Sequence, residues 1–392
     1  MRILISILVF VIFSTAAGEL TEKLDAYRKD LATFRAEYTA RELPDVRFYL
    51  FGMGARDKFI YRDGKLIFAK SGDVFREWKI TNDWIIPSEY AVALKTQDGK
   101  FVYIAEDEKS VYVQENDKRT NIFGTLIPLH LPQFEGHKYA SILKVLHQEL
   151  LIGVTPTGPV PNFLAYKKPW YRDGAMMALA FQKTRNVATI RDWIGSLREP
   201  FDRNNAGETE ADNLGQALYL ISLASDRKHP LVEKILTQAH RFEKTDTSGR
   251  KYISGRSDFA AHPVYQTKWM KYGLRALNLP DPYTIPAAND SYSALFWMDY
   301  PSDYFPAKDA DDRQNYPYLG WAADHFHKEK KSPISNRDYP LTWEQNASQA
   351  DYDALKIIDP IYVQQKLATP HTWHAAEVFL YLLDEKKAVP SN

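Results

Sequence analysis

Residues 169–173 read Pro169-Trp170-Tyr171-Arg172-Asp173, and Ala175, Met176, Leu179 and Ala180 follow at helical spacing. The stretch therefore joins a knot of aromatic and charged groups to the start of a half-buried helix. Five later stretches repeat the scheme: Glu208-Thr209-Glu210-Ala211-Asp212-Asn213, His262-Pro263-Val264-Tyr265-Gln266, Asn289-Asp290-Ser291-Tyr292, Leu341-Thr342-Trp343-Glu344 and Pro370-His371-Thr372-Trp373-His374. After the second knot the buried stripe is Leu214, Ala217, Leu218, Ile221 and Ala224; after the last it is Ala376, Phe379, Leu380 and Leu383. Helices that bring their N-termini together would gather these knots into one polar, aromatic-walled pocket.

Between the knots, Val187 to Leu197, Pro230 to Phe242 and Leu319 to Lys328 pattern as return helices. An inner helix followed by a return is the logic of an αα-hairpin. The expected fold class is therefore mainly α: an (α/α)6 toroid-type barrel preceded by a small antiparallel β-domain. Only about a dozen residues lie between Leu277 and the Asp290 knot, so the barrel is expected to be irregular there.

The chain ahead of the knots has a different pattern. Lys58-Phe59-Ile60-Tyr61 and Lys65-Leu66-Ile67-Phe68 flank Arg62-Asp63-Gly64, a hairpin signal. Gln97-Asp98-Gly99 separates Val92-Ala93-Leu94 from Phe101-Val102-Tyr103-Ile104, and Val111-Tyr112-Val113 adds a strand. Strands of ordinary length would number roughly six to eight here. Tyr139 to Ile152 returns to helical spacing, and the proline-rich Thr155 to Pro161 segment cannot be helix. The expected organisation is a signal peptide over 1–18, an N-terminal helix over 19–45, the β-domain over 46–125 and the toroid over 126–392.

Arg2, the apolar run Ile3 to Phe13 and the small residues Ser14 to Gly18 carry the marks of a secretory leader. The run is too short to span a bilayer comfortably. The expected location is secreted or periplasmic, with no membrane span after cleavage. There is no cysteine among the 392 residues, which excludes disulfides and thiol catalysis. A net charge of +0 without long runs of one sign gives no basic face for nucleic acid. Nine Trp and 24 Tyr, many beside polar residues, suit a carbohydrate partner, since apolar sugar faces stack on rings.

Hydrolysis of a glycosidic bond needs a carboxylic acid to protonate the leaving oxygen and a second carboxylate as base or nucleophile. Candidates at the helix mouths are Asp173, Glu208, Glu210, Asp212, Asp290 and Glu344. A carboxylate in a first helical turn is held ionised by the helix N-terminus, whereas an acid needs apolar neighbours. On that basis Glu210 is taken as acid and Glu344 as base, with Asp212 a further catalytic candidate, although the pattern itself leaves the choice open. Structural readings stand beside these: Asp212 as a helix cap, Arg172 with Asp173 as a core ion pair, and each Trp as packing. Thr342 to Gln345 has the spacing of a capping box. His262, His371, His374, His325 and His327 lack a carboxylate in register, so neither a metal nor any other cofactor is expected. The Asp309 to Asp312 loop reads as solvated acid, and the Asn346 sequon is discounted as lying within a helix.

The run Trp170-Tyr171-Arg172-Asp173-Gly174-Ala175 resembles the aromatic-x-Arg-Asp turn of glucoamylase-like six-hairpin glycosidases. Asp212-Asn213-Leu214-Gly215-Gln216 and Thr342-Trp343-Glu344 are similar to later inner-helix starts of that family. The resemblance implies a glycoside hydrolase acting on a poly- or oligosaccharide with inversion. It implies that Arg172 and Asp173 grip the sugar. Asn213 and Gln216 are expected on its hydroxyls, and Trp170, Trp343 and Trp373 on its faces. His262, Gln266, Lys268, Asp290, Tyr292 and His371 complete the expected binding set. Two alternatives remain: a polysaccharide lyase on a similar scaffold, or a glycan-binding envelope protein without catalysis.

Overall fold

The computed structural model describes residues 2–115, 118–124, 127–204, 206–258, 260–286 and 334–384, with side chains from residue 18 onward. Helix α1, Arg2–Glu37, lays Leu24, Tyr27, Leu31 and Phe34 along one buried stripe at alternating three- and four-residue spacing. Its polar groups tie it to a distant segment. Tyr27 donates to the Asp338 carbonyl at 2.6 Å, and Arg35 donates to the Ser335 carbonyl at 2.7 Å. The residues after it, Ala40–Arg41, pair in parallel with Ile334–Ser335.

Nine strands follow in two antiparallel meanders. The first sheet runs β1 (Tyr49–Phe51), β2 (Phe59–Arg62), β3 (Lys65–Phe68) and β4 (Val74–Glu77) in chain order. Its central hairpin pairs Arg62 with Lys65, and Asp63 and Gly64 take φ of 48° and 77°. A two-residue turn with both φ positive matches the twist of the flanking strands, which is why Asp-Gly sits there. The second sheet runs β5 (Ile80–Ile86), β6 (Ala91–Thr96), β7 (Phe101–Glu106), β8 (Ser110–Glu115) and β9 (Lys118–Gly124).

The helices then pack side by side. They are α2 (Ala140–Ile152), α3 (Tyr171–Thr184), α4 (Asp212–Ser222), α5 (Pro230–Ala239), α6 (Pro263–Ala276) and α7 (Thr372–Asp384). Helix α7 lies against both α2 and α3, α3 lies against α4, and α4 lies along α6. The α4–α6 approach is close because each helix presents a glycine. A Cβ on Gly215 would stand 2.2 Å from the Trp269 backbone carbon, and one on Gly273 would stand 2.5 Å from the Gly215 carbonyl oxygen. One continuous buried cluster runs from Leu24 to Leu382 through sheets and helices alike.

The expected mainly-α toroid is corrected by this architecture. Among the described residues the protein is mixed α/β, with 37% helix, 22% strand and several small antiparallel sheets, and no ring of six hairpins is evident there. The physical reasons lie between the inner helices. Val187 to Leu197 breaks into a 3-10 turn and the five-residue helix Arg191–Gly195. Residues 243–261 form two small hairpins, Glu243–Thr245 with Lys251–Ile253 and Arg256–Ser257 with Ala260–Ala261. The Thr342 knot opens no helix: Glu344–Gln345 is a short strand paired with Leu367–Ala368. Thr342 caps no helix, because a strand follows it; its hydroxyl donates to Glu149 Oε2 at 2.6 Å and accepts from the His371 backbone N–H at 3.1 Å. Asn346 is correspondingly outside any helix, at φ 59°. Leu319 to Lys328, the Asp309 loop, His325 and His327 lie outside the described residues. Among the described residues no helix is long and apolar enough to cross a membrane.

Candidate functional site

Four of the knots do open helices, and three of those openings converge. Arg172 and Asp173 stand in the first turn of α3, Glu210 and Asp212 at the entry of α4, and His371 and Trp373 at the entry of α7. Two further acids arrive from non-helical segments. Asp258 sits at the turn of the Arg256–Ala261 hairpin with φ 52°, and Glu344 sits on the short strand paired with Leu367–Ala368.

Arg172 organises one part of the site. Its Nε donates to Asp212 Oδ2 at 2.9 Å, its Nη2 to Glu210 Oε2 at 2.6 Å, and its Nη1 to Asp258 Oδ2 at 2.5 Å. Its guanidinium carbon also lies 5.2 Å from the centre of the Trp373 ring. Burial works against the arginine's charge, but the three carboxylates outweigh it and push its pKa well above the usual value. Asp212 is buried too, which favours its neutral form. Arg172, with hydrogen bonds from Ser257 at 2.5 Å and Gln216 at 2.8 Å, reverses that and holds it low. Asp212 thus caps nothing; the entry to α4 has no side-chain cap. Burial lifts Glu210 to about 7 despite its arginine contact.

Around Glu344 the chemistry differs. Burial raises this carboxyl to about 7, the Tyr166 hydroxyl donating at 2.6 Å pulls it down, and the charge of Asp258 pushes it up again. His371 Nε2 stands 3.6 Å from Glu344 Oε2. Burial lowers His371 to about 4, so the ring is neutral at pH 7. Its Nδ1 accepts from the His374 backbone N–H at 3.4 Å, which leaves the ring proton on Nε2, toward Glu344. Burial likewise lifts Asp173 to about 6, and its Oδ1 accepts from the Thr372 hydroxyl at 3.1 Å.

These two groups border a cleft of about 310 Å3. Of the expected site residues, Trp170, Arg172, Asp173, Glu344, His371 and Trp373 line it. Glu210 and Asp212 stand behind Arg172 rather than in the lining. Asn213 Nδ2 donates to Gln216 Oε1 at 3.2 Å and Gln216 Nε2 donates to the Tyr265 hydroxyl at 3.2 Å, and neither residue is in the lining. Gln266 is tied to the Gly255 backbone in both directions, at 3.0 and 2.7 Å. Lys268 and His262 are buried away from the lining. Trp343 is fully buried, edge-on to His374 at 5.1 Å and beneath the Arg41 guanidinium, so it packs. Asp290 and Tyr292 lie outside the described residues.

The sequence reading missed Tyr166, Asn204, Arg256 and Asp258 in the lining and named Glu208 only as a carboxylate candidate. All belong to turns and hairpins, where no apolar period marks the residue that faces inward. The one signal was the polar Arg256-Ser257-Asp258 turn just ahead of the His262 knot. Among the described residues, no group of three or more His, Cys, Asp or Glu is arranged to hold a metal ion. No protein family, curated protein or solved structure matches this chain.

Proposed function

We propose that this protein is a glycoside hydrolase that cleaves a poly- or oligosaccharide by carboxylate acid/base catalysis. One observation carries the reading: a buried carboxyl, Glu344, holds a proton up to about 7 while lining an aromatic-walled cleft that a second acid, Asp258, also lines. In the proposal Glu344 protonates the glycosidic oxygen, which leaves with that proton as an alcohol. Asp258, fixed by Arg172, takes a proton from the water that attacks the anomeric carbon. Trp170 and Tyr166, whose rings meet edge-on at 5.9 Å, supply faces for the sugar. Attack by water gives inversion. The leader-like residues Arg2 to Gly18 support a secreted or periplasmic location.

A lyase would need a cation to neutralise a uronate carboxylate and a base at the cleft. Arg172 is already engaged by three carboxylates, and Tyr265 is fully buried outside the lining; of the bases in the lining, Tyr166 is held by Glu344 and the His371 lone pair on Nδ1 is taken by the His374 N–H. The hydrolase reading is therefore preferred. The test is reducing-end release from a panel of oligosaccharides, followed by NMR of the first anomer formed. Wild type should release the inverted anomer, and Glu344→Gln should lower kcat by about 10²–10⁴-fold with binding retained. Glycan binding without turnover by wild type would show a binding protein instead, and an unsaturated product would show a lyase.

A further inference from the structure

The two carboxyl oxygens of Glu344 have unlike surroundings. Oε2 accepts from the Tyr166 hydroxyl at 2.6 Å and faces His371 Nε2 at 3.6 Å. Oε1 has no hydrogen-bond partner among the described residues, yet it is not one of the enclosed polar atoms that lack one. It is therefore the oxygen open to the cleft that Glu344 lines. The His371 ring is itself fixed. His371 precedes α7, and its Nδ1 accepts from the His374 N–H at 3.4 Å, one of the free donors of that helix start. Its backbone N–H donates to the Thr342 hydroxyl at 3.1 Å, which donates in turn to Glu149 Oε2 at 2.6 Å. The ring can therefore offer Glu344 only an N–H, which disfavours a proton on Oε2. At 3.6 Å that N–H acts as a dipole rather than as a full hydrogen bond. The charged and titratable groups around the pair are Asp173 and Arg172 on α3, Asp258 on its hairpin, Tyr166, and His374 on α7.

We infer that His371 is a positioning residue for the acid: with Tyr166 it closes Oε2, so the Glu344 proton sits on Oε1 and is delivered from there. The inference rests on the glycosidase reading for its reaction, while the orientation of the carboxyl stands on these contacts. In the transfer the Oε1–H bond breaks and an O–H bond to the glycosidic oxygen forms, as that oxygen parts from the anomeric carbon. The carboxylate left behind meets the two donors that already face Oε2. The ring must be neutral for this, because an imidazolium in the same place would draw the proton off Glu344 before substrate arrived. Burial keeps it neutral at pH 7, against the pull of Asp173.

The test pairs two substitutions in the intact chain. His371→Asn keeps an acceptor for the His374 N–H but is too short to reach Glu344, whereas His371→Gln keeps a donor toward Glu344. In a 13C titration the Asn variant should hold the Glu344 proton about threefold more tightly, and the Gln variant should match wild type. A cap with no other role predicts the opposite order, with Asn silent and Gln disturbed. That order, or no shift in either variant, overturns the inference. The 15N shifts of the wild-type ring, which depend on no variant, should show one proton, on Nε2, across about pH 5 to 8. A proton on Nδ1 overturns it equally. Reducing-end release by wild type separates the two proposals. Cleavage together with an unmoved Glu344 midpoint in His371→Asn removes the role of His371 and keeps the hydrolase. The expected midpoints without cleavage of any oligosaccharide keep the oriented carboxyl and sink the hydrolase.

Discussion

At the scale of single residues, burial sets the protonation of a few acids. Tyr166 lowers the Glu344 carboxyl by donating a hydrogen bond to it, so Tyr166→Phe should raise that pKa further. An acid works while protonated, so the alkaline limb of the pH–kcat/KM profile should move to higher pH in the variant. An unmoved limb would show that another group donates the proton. Arg172→Met would leave Glu210, Asp212 and Asp258 facing one another without their shared cation. Removing one partner of a buried ion network costs about 3–5 kcal/mol, to be read from the urea midpoint. Arg172 and Asp173 could be picked from the sequence because an aromatic-x-Arg-Asp run is unusual. Asp258 could not, since its place in the cleft depends on a left-handed turn and on an ion pair with a residue 86 positions earlier.

At the scale of elements, the two-residue β hairpin and four of the six expected inner helices were legible, because each is written in a local period or turn. The Arg62-Asp63-Gly64 turn and the stripe of α4 are examples. The Thr342 segment shows the limit of that reading. Its capping spacing is a local signal, but Thr342 spends its hydroxyl on Glu149, 193 residues away, and the chain forms a short strand. Tertiary partners overrode the local preference. The α4–α6 contact makes a sharper prediction. Gly215→Ala would drive a methyl into the Trp269 backbone, which cannot yield as a flexible side chain would. A loss of about 1–3 kcal/mol or more is expected in chemical denaturation, whereas Gly195→Ala, with open space around it, should change little.

At the scale of the whole molecule, long-range polar ties join the ends of the chain. Helix α1 is held to Ser335 and Asp338, and α2 reaches Leu341 and Thr342 through Glu149. Burial raises Glu149 from its ordinary 4.5 to about 8. The native state therefore holds a proton that the unfolded chain releases, and this contribution is present below about 4.5 and lost as pH rises toward about 8. Glu210 and Glu344, raised to about 7, add in the same direction over a narrower window. Stability should fall as pH rises from about 5 to 8, and Glu149→Gln should flatten the upper part of that slope. Urea midpoints that rise with pH would contradict the assignment. None of these ties has a local sequence signature, which is why the mixed α/β arrangement was misread as a helical ring.

The most direct test of the central claim is a 13C NMR titration of the Glu344 carboxyl in the intact chain, assigned by comparison with Glu344→Gln. The account predicts a midpoint of about 7, moving upward in Tyr166→Phe. A midpoint near the ordinary 4.5 would mean that the cleft keeps no acid proton at neutral pH, and the proposed chemistry would fail with it.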